Sequence, residues 1–126
     1  MEQGYTPGSL VLVRIRVHGR NGAREMQAVL DTGASFVTIP QRDAAELGYD
    51  LSRAPQVRLT TANGPVGAPK IILSRLTVGD IEVSDVPALC LDLELAGVSS
   101  LLGMSALAHI RIVIDPKQRL ISMTRP

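Results

Sequence analysis

Between Leu10 and His18 the chain reads LVLVRIRVH, and its side chains alternate. Val11, Val13, Ile15 and Val17 fall on one face of an extended segment, and Leu12, Arg14, Arg16 and His18 fall on the other. A helix would mix these two sets, because its neighbours recur at three and four residues rather than two. The segment is therefore a half-buried strand. Gly19-Arg20-Asn21-Gly22 follows, rich in residues that tolerate positive φ, and the next run sets Met26, Ala28 and Leu30 on one face. Together the two runs predict a hairpin that ends at Asp31.

The rest of the chain reads in the same style. Phe36 to Ile39 is a short apolar run, and Pro40 then opens QRDAAELG, a short helix closed by Gly48. Gln56 to Thr61, the turn-rich Ala62-Asn63-Gly64-Pro65-Val66-Gly67 and the run Lys70 to Val78 predict a second hairpin. Gly79-Asp80 turns the chain into Ile81 to Leu91, a strand that Pro87 is expected to interrupt. Met104 to His109 has helix-compatible composition. Arg111 to Asp115 and Arg119 to Met123 then form the last strands, about a turn at Pro116-Lys117-Gln118. With 126 residues, 45% of them apolar, one Phe, two Tyr and no Trp, the chain suits a single aliphatic core of β-branched strands. The expectation is one mainly β domain over residues 1–126, with its core at about 10–123 and one or two short helices.

Charge and cysteine content narrow the function classes. Thirteen Lys and Arg against twelve Asp and Glu give a net charge of +1, too little to attract phosphate backbones, so nucleic-acid binding is disfavoured. The one cysteine, Cys90, allows no intrachain disulfide and no cysteine-based metal site, and reads as a small buried hydrophobe. No apolar stretch is long enough to span a bilayer, and Met1 to Gly8 lacks a basic segment followed by an apolar one. The expected location is cytoplasmic.

The segment that bears chemistry is Ala28-Val29-Leu30-Asp31-Thr32-Gly33-Ala34-Ser35, an apolar strand delivering an acid into a loop of small residues with no local basic partner. Ionising a lone carboxylate at the end of a buried strand is costly unless hydrogen-bond donors are supplied. Gly33 and Ala34 leave backbone N–H groups exposed and make room for a substrate. Both features suit an acid that must hold a water.

Asp31-Thr32-Gly33-Ala34-Ser35 resembles the active-site loop of the retropepsin-like aspartic proteases, the single-lobe group that includes retroviral proteases and bacterial relatives. Leu101-Leu102-Gly103 resembles that family's second signature, two apolar residues and a glycine shortly before a helix. The hairpin tip from Ala62 and Asn63 through Gly64, Pro65 and Val66 to Gly67 lies between them, where the family has a flap that closes over bound peptide. The resemblance covers about Leu10 to Met123. It implies a closed β-barrel acid-protease fold with a flap hairpin, and Asp31 as the catalytic residue. It also implies that Thr32 to Ser35 form the active-site loop, that Leu101 to Gly103 support it, and that no metal or cofactor takes part.

In such enzymes two carboxylates a few ångströms apart cannot both ionise, so they share one proton. One takes a proton from the attacking water while the other hydrogen-bonds the scissile carbonyl. This chain contains the acid loop once, so the resemblance implies a homodimer in which Thr32 braces the facing loops and the chain ends are candidates for an intersubunit sheet. The implied substrate is an extended peptide or protein segment between floor and flap. Ser35 and Met104 depart from the retroviral pattern, in which an acid and an arginine are common at these positions; the sequence looks closer to cellular and bacterial members. A non-catalytic dimerisation or peptide-binding module on the same fold is the alternative.

The remaining polar residues read more plainly. Asp43, Glu46, Asp50, Asp80, Asp85, Asp92 and Glu94 are expected to be solvated charges, and Asp115, followed by Pro116, a turn former. His18 and His109 have no ligand-type spacing and are assigned surface or packing roles.

Overall fold

The computed structural model describes residues 1–61, 64–93 and 97–126. Ten strands and two short helices are formed by these residues. The predicted first hairpin is β2 (Leu12–Gly19) and β3 (Gly22–Leu30), in antiparallel register from Leu12 opposite Val29 to Gly19 opposite Gly22. Val13, Ile15 and Val17 are buried, as the alternation requires. β4 (Val37–Ile39) leads into α1 (Gln41–Glu46), and Gly48 ends that turn at φ +100°, a conformation that side-chain-bearing residues rarely adopt.

β5 (Gln56–Thr61) pairs with the first part of β6 (Gly64–Val78), and β6 pairs again with β7 (Ile81–Cys90). β8 (Ser100–Leu102) runs into α2 (Met104–Leu107), and β9 (Arg111–Asp115) and β10 (Leu120–Thr124) close the chain. Six strands form a ring in the order β2, β3, β8, β4, β7, β6, which β6 closes by pairing back onto β2. The core fills this closed barrel with aliphatic side chains, including Ile15, Ile39, Leu73, Leu76 and Leu102. Each such buried side chain contributes about 1.5–3 kcal/mol. A closed ring also leaves no barrel edge to be protected.

Two expectations are corrected. The residues from Gly64 to Gly67, read as turn, already belong to β6, with Gly67 opposite Arg58 and Gly64 opposite Thr61. Their proline and glycines are tolerated there because this arm of β6 pairs with β5 alone. Pro87 does not interrupt β7; it lies opposite Ile72, one residue before the pairing with β4 begins at Ala88, so a missing N–H is accommodated. The first residues form β1 (Glu2–Gly4), which pairs with β10 in the sheet β1-β10-β9.

Candidate active site

Asp31 is held from three directions by main chain. The end of β3 lies parallel to β8, Val29 beside Leu101 and Leu30 beside Leu102, and the Asp31 N–H donates to the Leu102 carbonyl at 3.1 Å. One residue earlier, the Leu30 N–H donates to the Val11 carbonyl at 2.8 Å. The loop then folds back, with the Ala34 N–H donating to the Asp31 carbonyl at 3.2 Å and the Gly33 N–H to Asp31 Oδ1 at 3.0 Å. The half-buried carboxylate therefore has one oxygen fixed by backbone, while Oδ2 accepts no hydrogen bond among the described residues. Thr32 and Gly33 are exposed at the surface beside it.

The later signature meets this loop from behind. Met104 N–H donates to the Ala34 carbonyl at 2.7 Å and Ser105 N–H to the Ser35 carbonyl at 2.9 Å. Ser105 Oγ accepts from the Val37 N–H at 2.9 Å. The close approach dictates the glycine: a Cβ at Gly103 would lie 2.3 Å from the Phe36 carbonyl oxygen and 2.8 Å from that of Ala34. Its φ of −100° is open to any residue, so contact rather than conformation excludes a side chain. The corner where Ser35 and Met104 stand is thus joined by neutral backbone bonds.

Two hydroxyls beneath the loop escaped the sequence reading. Thr38 and Ser100 are buried; Ser100 Oγ donates to the Thr38 carbonyl, and Thr38 Oγ1 accepts from the Leu101 N–H at 3.0 Å. A threonine in the middle of an apolar run was the available signal, since a buried hydroxyl must find a partner. Among the described residues no buried side-chain nitrogen or oxygen lacks one.

Beside the loop lies an apolar cavity of about 250 Å³, lined by Ala34, Ser35, Thr38, Leu101 and, from farther away in sequence, Leu59 and Leu89. Phe36 borders it, with Lys70 Nζ 5.2 Å from its ring centroid. Leu59 lies opposite Val66, so the β5–β6 hairpin reaches the same space as the acid loop. Of the anticipated flap residues, Gly64, Pro65, Val66 and Gly67 lie on β6, and Ala62 and Asn63 lie outside the described residues.

The other described acids sit elsewhere, and Glu94 lies outside the described residues. Asp43 and Glu46 are not merely solvated: Arg24 pairs with both, linking α1 to β3. Asp115 accepts from the Gln118 N–H at 3.1 Å, which is the turn role expected of it. Cys90 is buried and free, and burial pushes its thiol up to about 11, so it stays protonated. Among the described residues no group of three or more His, Cys, Asp or Glu could hold a metal ion. No helix among them is long and apolar enough to cross a membrane.

A barrel that presents an Asp-Thr-Gly loop against a Leu-Leu-Gly support defines the class of single-lobe acid-protease folds. Residues 17–109 match the family of gag-polyprotein putative aspartyl proteases, and the chain belongs to that retropepsin-like family. The fold is similar to the crystal structure of a retropepsin-like aspartic protease from Rickettsia conorii, with a TM-score of 0.71 and 28% identity, over 96% of this chain and 86% of that one. An uncharacterized protein of Rickettsia prowazekii (strain Madrid E) is 38% identical over 56 residues, which span 44% of this chain and 24% of that protein.

Proposed function

We propose that the chain is an aspartic endopeptidase that acts as a homodimer, with Asp31 from each copy forming the catalytic pair. The observation that carries this reading is the Asp31 loop itself: a carboxylate fixed through one oxygen by the Gly33 N–H, flanked by exposed Thr32 and Gly33, and occurring once in the chain. A second copy across a two-fold axis at Thr32 would supply the mate, and two such acids at bonding distance share a proton. One then serves as base toward water and the other as acid toward the carbonyl oxygen, without a covalent intermediate.

The substrate is an extended polypeptide lying along the loop and beneath the β5–β6 hairpin, bound through main-chain hydrogen bonds. The apolar cavity between Ala34, Leu59, Leu89 and Leu101 favours an aliphatic side chain at the subsite it forms. Asp31→Asn tests the assignment, since the amide removes the shared proton at nearly unchanged size. Cleavage of an unfolded protein substrate falls to background while the circular dichroism spectrum and melting temperature stay close to those of the parent. Cleavage at the parental rate by that variant excludes Asp31 as the catalytic acid, and a parent without turnover from acidic to neutral pH favours a binding module instead.

A further inference from the structure

On the outer wall of the barrel, β2 and β6 carry a polar block that shares no residue with the Asp31 loop or its cavity. Ile15, Val17, Leu76 and Val78 are buried, so the alternation turns Arg16, His18, Arg75 and Thr77 outward. The register sets Arg16 opposite Thr77 and His18 opposite Arg75. Arg16 and Arg75 are therefore diagonal neighbours at about 7–8 Å, within joint reach of one small ligand. With Arg20 from the hairpin turn and Glu82 from β7, these side chains line an open depression of about 640 Å³.

The donors there are fixed in a particular way. Arg75 Nη2 lies 3.0 Å from His18 Nδ1, and His18 Nε2 lies 2.9 Å from Thr77 Oγ1. A guanidinium can only donate, so Nδ1 accepts and the ring proton sits on Nε2. That proton is given to Thr77 Oγ1, which leaves the threonine hydroxyl free to donate onward. Burial, then Arg75, then Arg16 lower the proton affinity of His18 against the opposing pull of Glu82, so the local field is cationic. Arg75 leans toward Glu82 at 3.8 Å, while Arg16 and Arg20 carry no salt bridge among the described residues.

The patch is also narrow. Glu25 stands opposite Arg16 on β3 and pairs with Arg14 at 3.5 Å, and Glu82 stands opposite Thr77 on β7. Carboxylates on both flanks disfavour a polyanion lying across the sheet and leave room for one compact charged group.

We propose that this depression binds a doubly charged oxyanion, a phosphate or a phosphate monoester, between the guanidiniums of Arg16 and Arg75, with the Thr77 hydroxyl donating and Arg20 at the rim. Planar guanidinium forks match the oxygens of such a group, and charge-assisted bonds of this kind are the stronger ones. The site is independent of the peptidase reading and stands or falls separately from it.

His18 and His109 are the only histidines in the chain, so their ring resonances give a reporter and an internal control. The experiment titrates the whole chain with inorganic phosphate, and separately with glycerol 2-phosphate, above the second phosphate ionisation and against chloride at matched ionic strength. The His18 signals are expected to move saturably with phosphate but not with chloride, while those of His109 stay in place. Arg75→Gln and Arg16→Gln, surface changes whose fold is checked by the amide spectrum, each weaken binding about tenfold. A response to glycerol 2-phosphate as well identifies a phosphoryl group on a larger molecule as the source; a response to phosphate alone identifies the free anion. Equal shifts with phosphate and chloride, or unchanged affinity in both variants, overturn the proposal.

Discussion

The two short helices are fastened to the barrel differently: α1 adds ion pairs to the neutral bonds that Asn21 and Gln41 make, whereas α2 carries no charged residue. α1 is tied to β3 by ions, with Arg24 on β3 reaching Asp43 and Glu46, and Arg42 pairing with Glu46 at 3.0 Å. α2 is tied to the Asp31 loop without any charge, through the backbone bonds of Met104 and Ser105 and the bare Gly103. Exposed ion pairs weaken with salt and with acid, whereas backbone bonds and close packing do neither. The helix behind the acid is thus held by contacts that salt and acid leave intact, and the remote helix partly by contacts that they weaken.

Breaking the neutral fastening is expected to produce the largest loss. Gly103→Ala forces a methyl group against two carbonyl oxygens, that of Ala34 in the Asp31 loop and that of Phe36 just after it, and urea unfolding is expected to show about 3 kcal/mol of destabilisation. A stability within a few tenths of the parent would show that the loop gives way freely. Ser105→Ala keeps the backbone bonds but leaves the Val37 N–H without its acceptor, so a loss of about 1–2 kcal/mol is expected by the same measurement.

The ionic fastening sharpens the contrast from the other side. Arg24→Gln is expected to have the smallest effect of the three, and the difference from the parent should shrink in high salt, while the Gly103→Ala loss should persist there. Its pH dependence has a definite sign. Arg24 first, then Arg42, hold the Glu46 carboxyl below its ordinary range by hydrogen bonding to the charged form. That contribution is present above the unfolded carboxylate range and is lost as pH falls through the lowered value. Acid unfolding curves of parent and Arg24→Gln should therefore converge at low pH; a gap that widened on acidification would contradict the ionic role.

How much of the fold and site is legible in the sequence depends on whether neighbours or distant partners decide each feature. The alternation of Val13, Ile15 and Val17 is local and specifies β2 by itself. Asp31 and Gly103 are legible because an acid ending an apolar strand and a glycine preceding a helix are each unusual in their own context. β1 is not, because its three residues, Glu2, Gln3 and Gly4, show no pattern and are ordered by β10 at the far end of the chain. Pro65 and Pro87 mislead as breakers, since their tolerance depends on which side of a strand is covered. Leu59 and Leu89 read only as strand residues, because meeting at one cavity is a property of the ring and not of either segment.

The central claim is that one working site needs Asp31 from two copies, and subunit mixing probes it most directly. A fixed amount of parent is equilibrated with increasing Asp31→Asn chain, and the rate of substrate cleavage is followed. The account predicts progressive suppression, because the fraction of dimers holding both carboxylates falls with the square of the parental fraction. A rate that stays proportional to the parent alone, with exchange of subunits verified by light scattering or mass spectrometry, would contradict it.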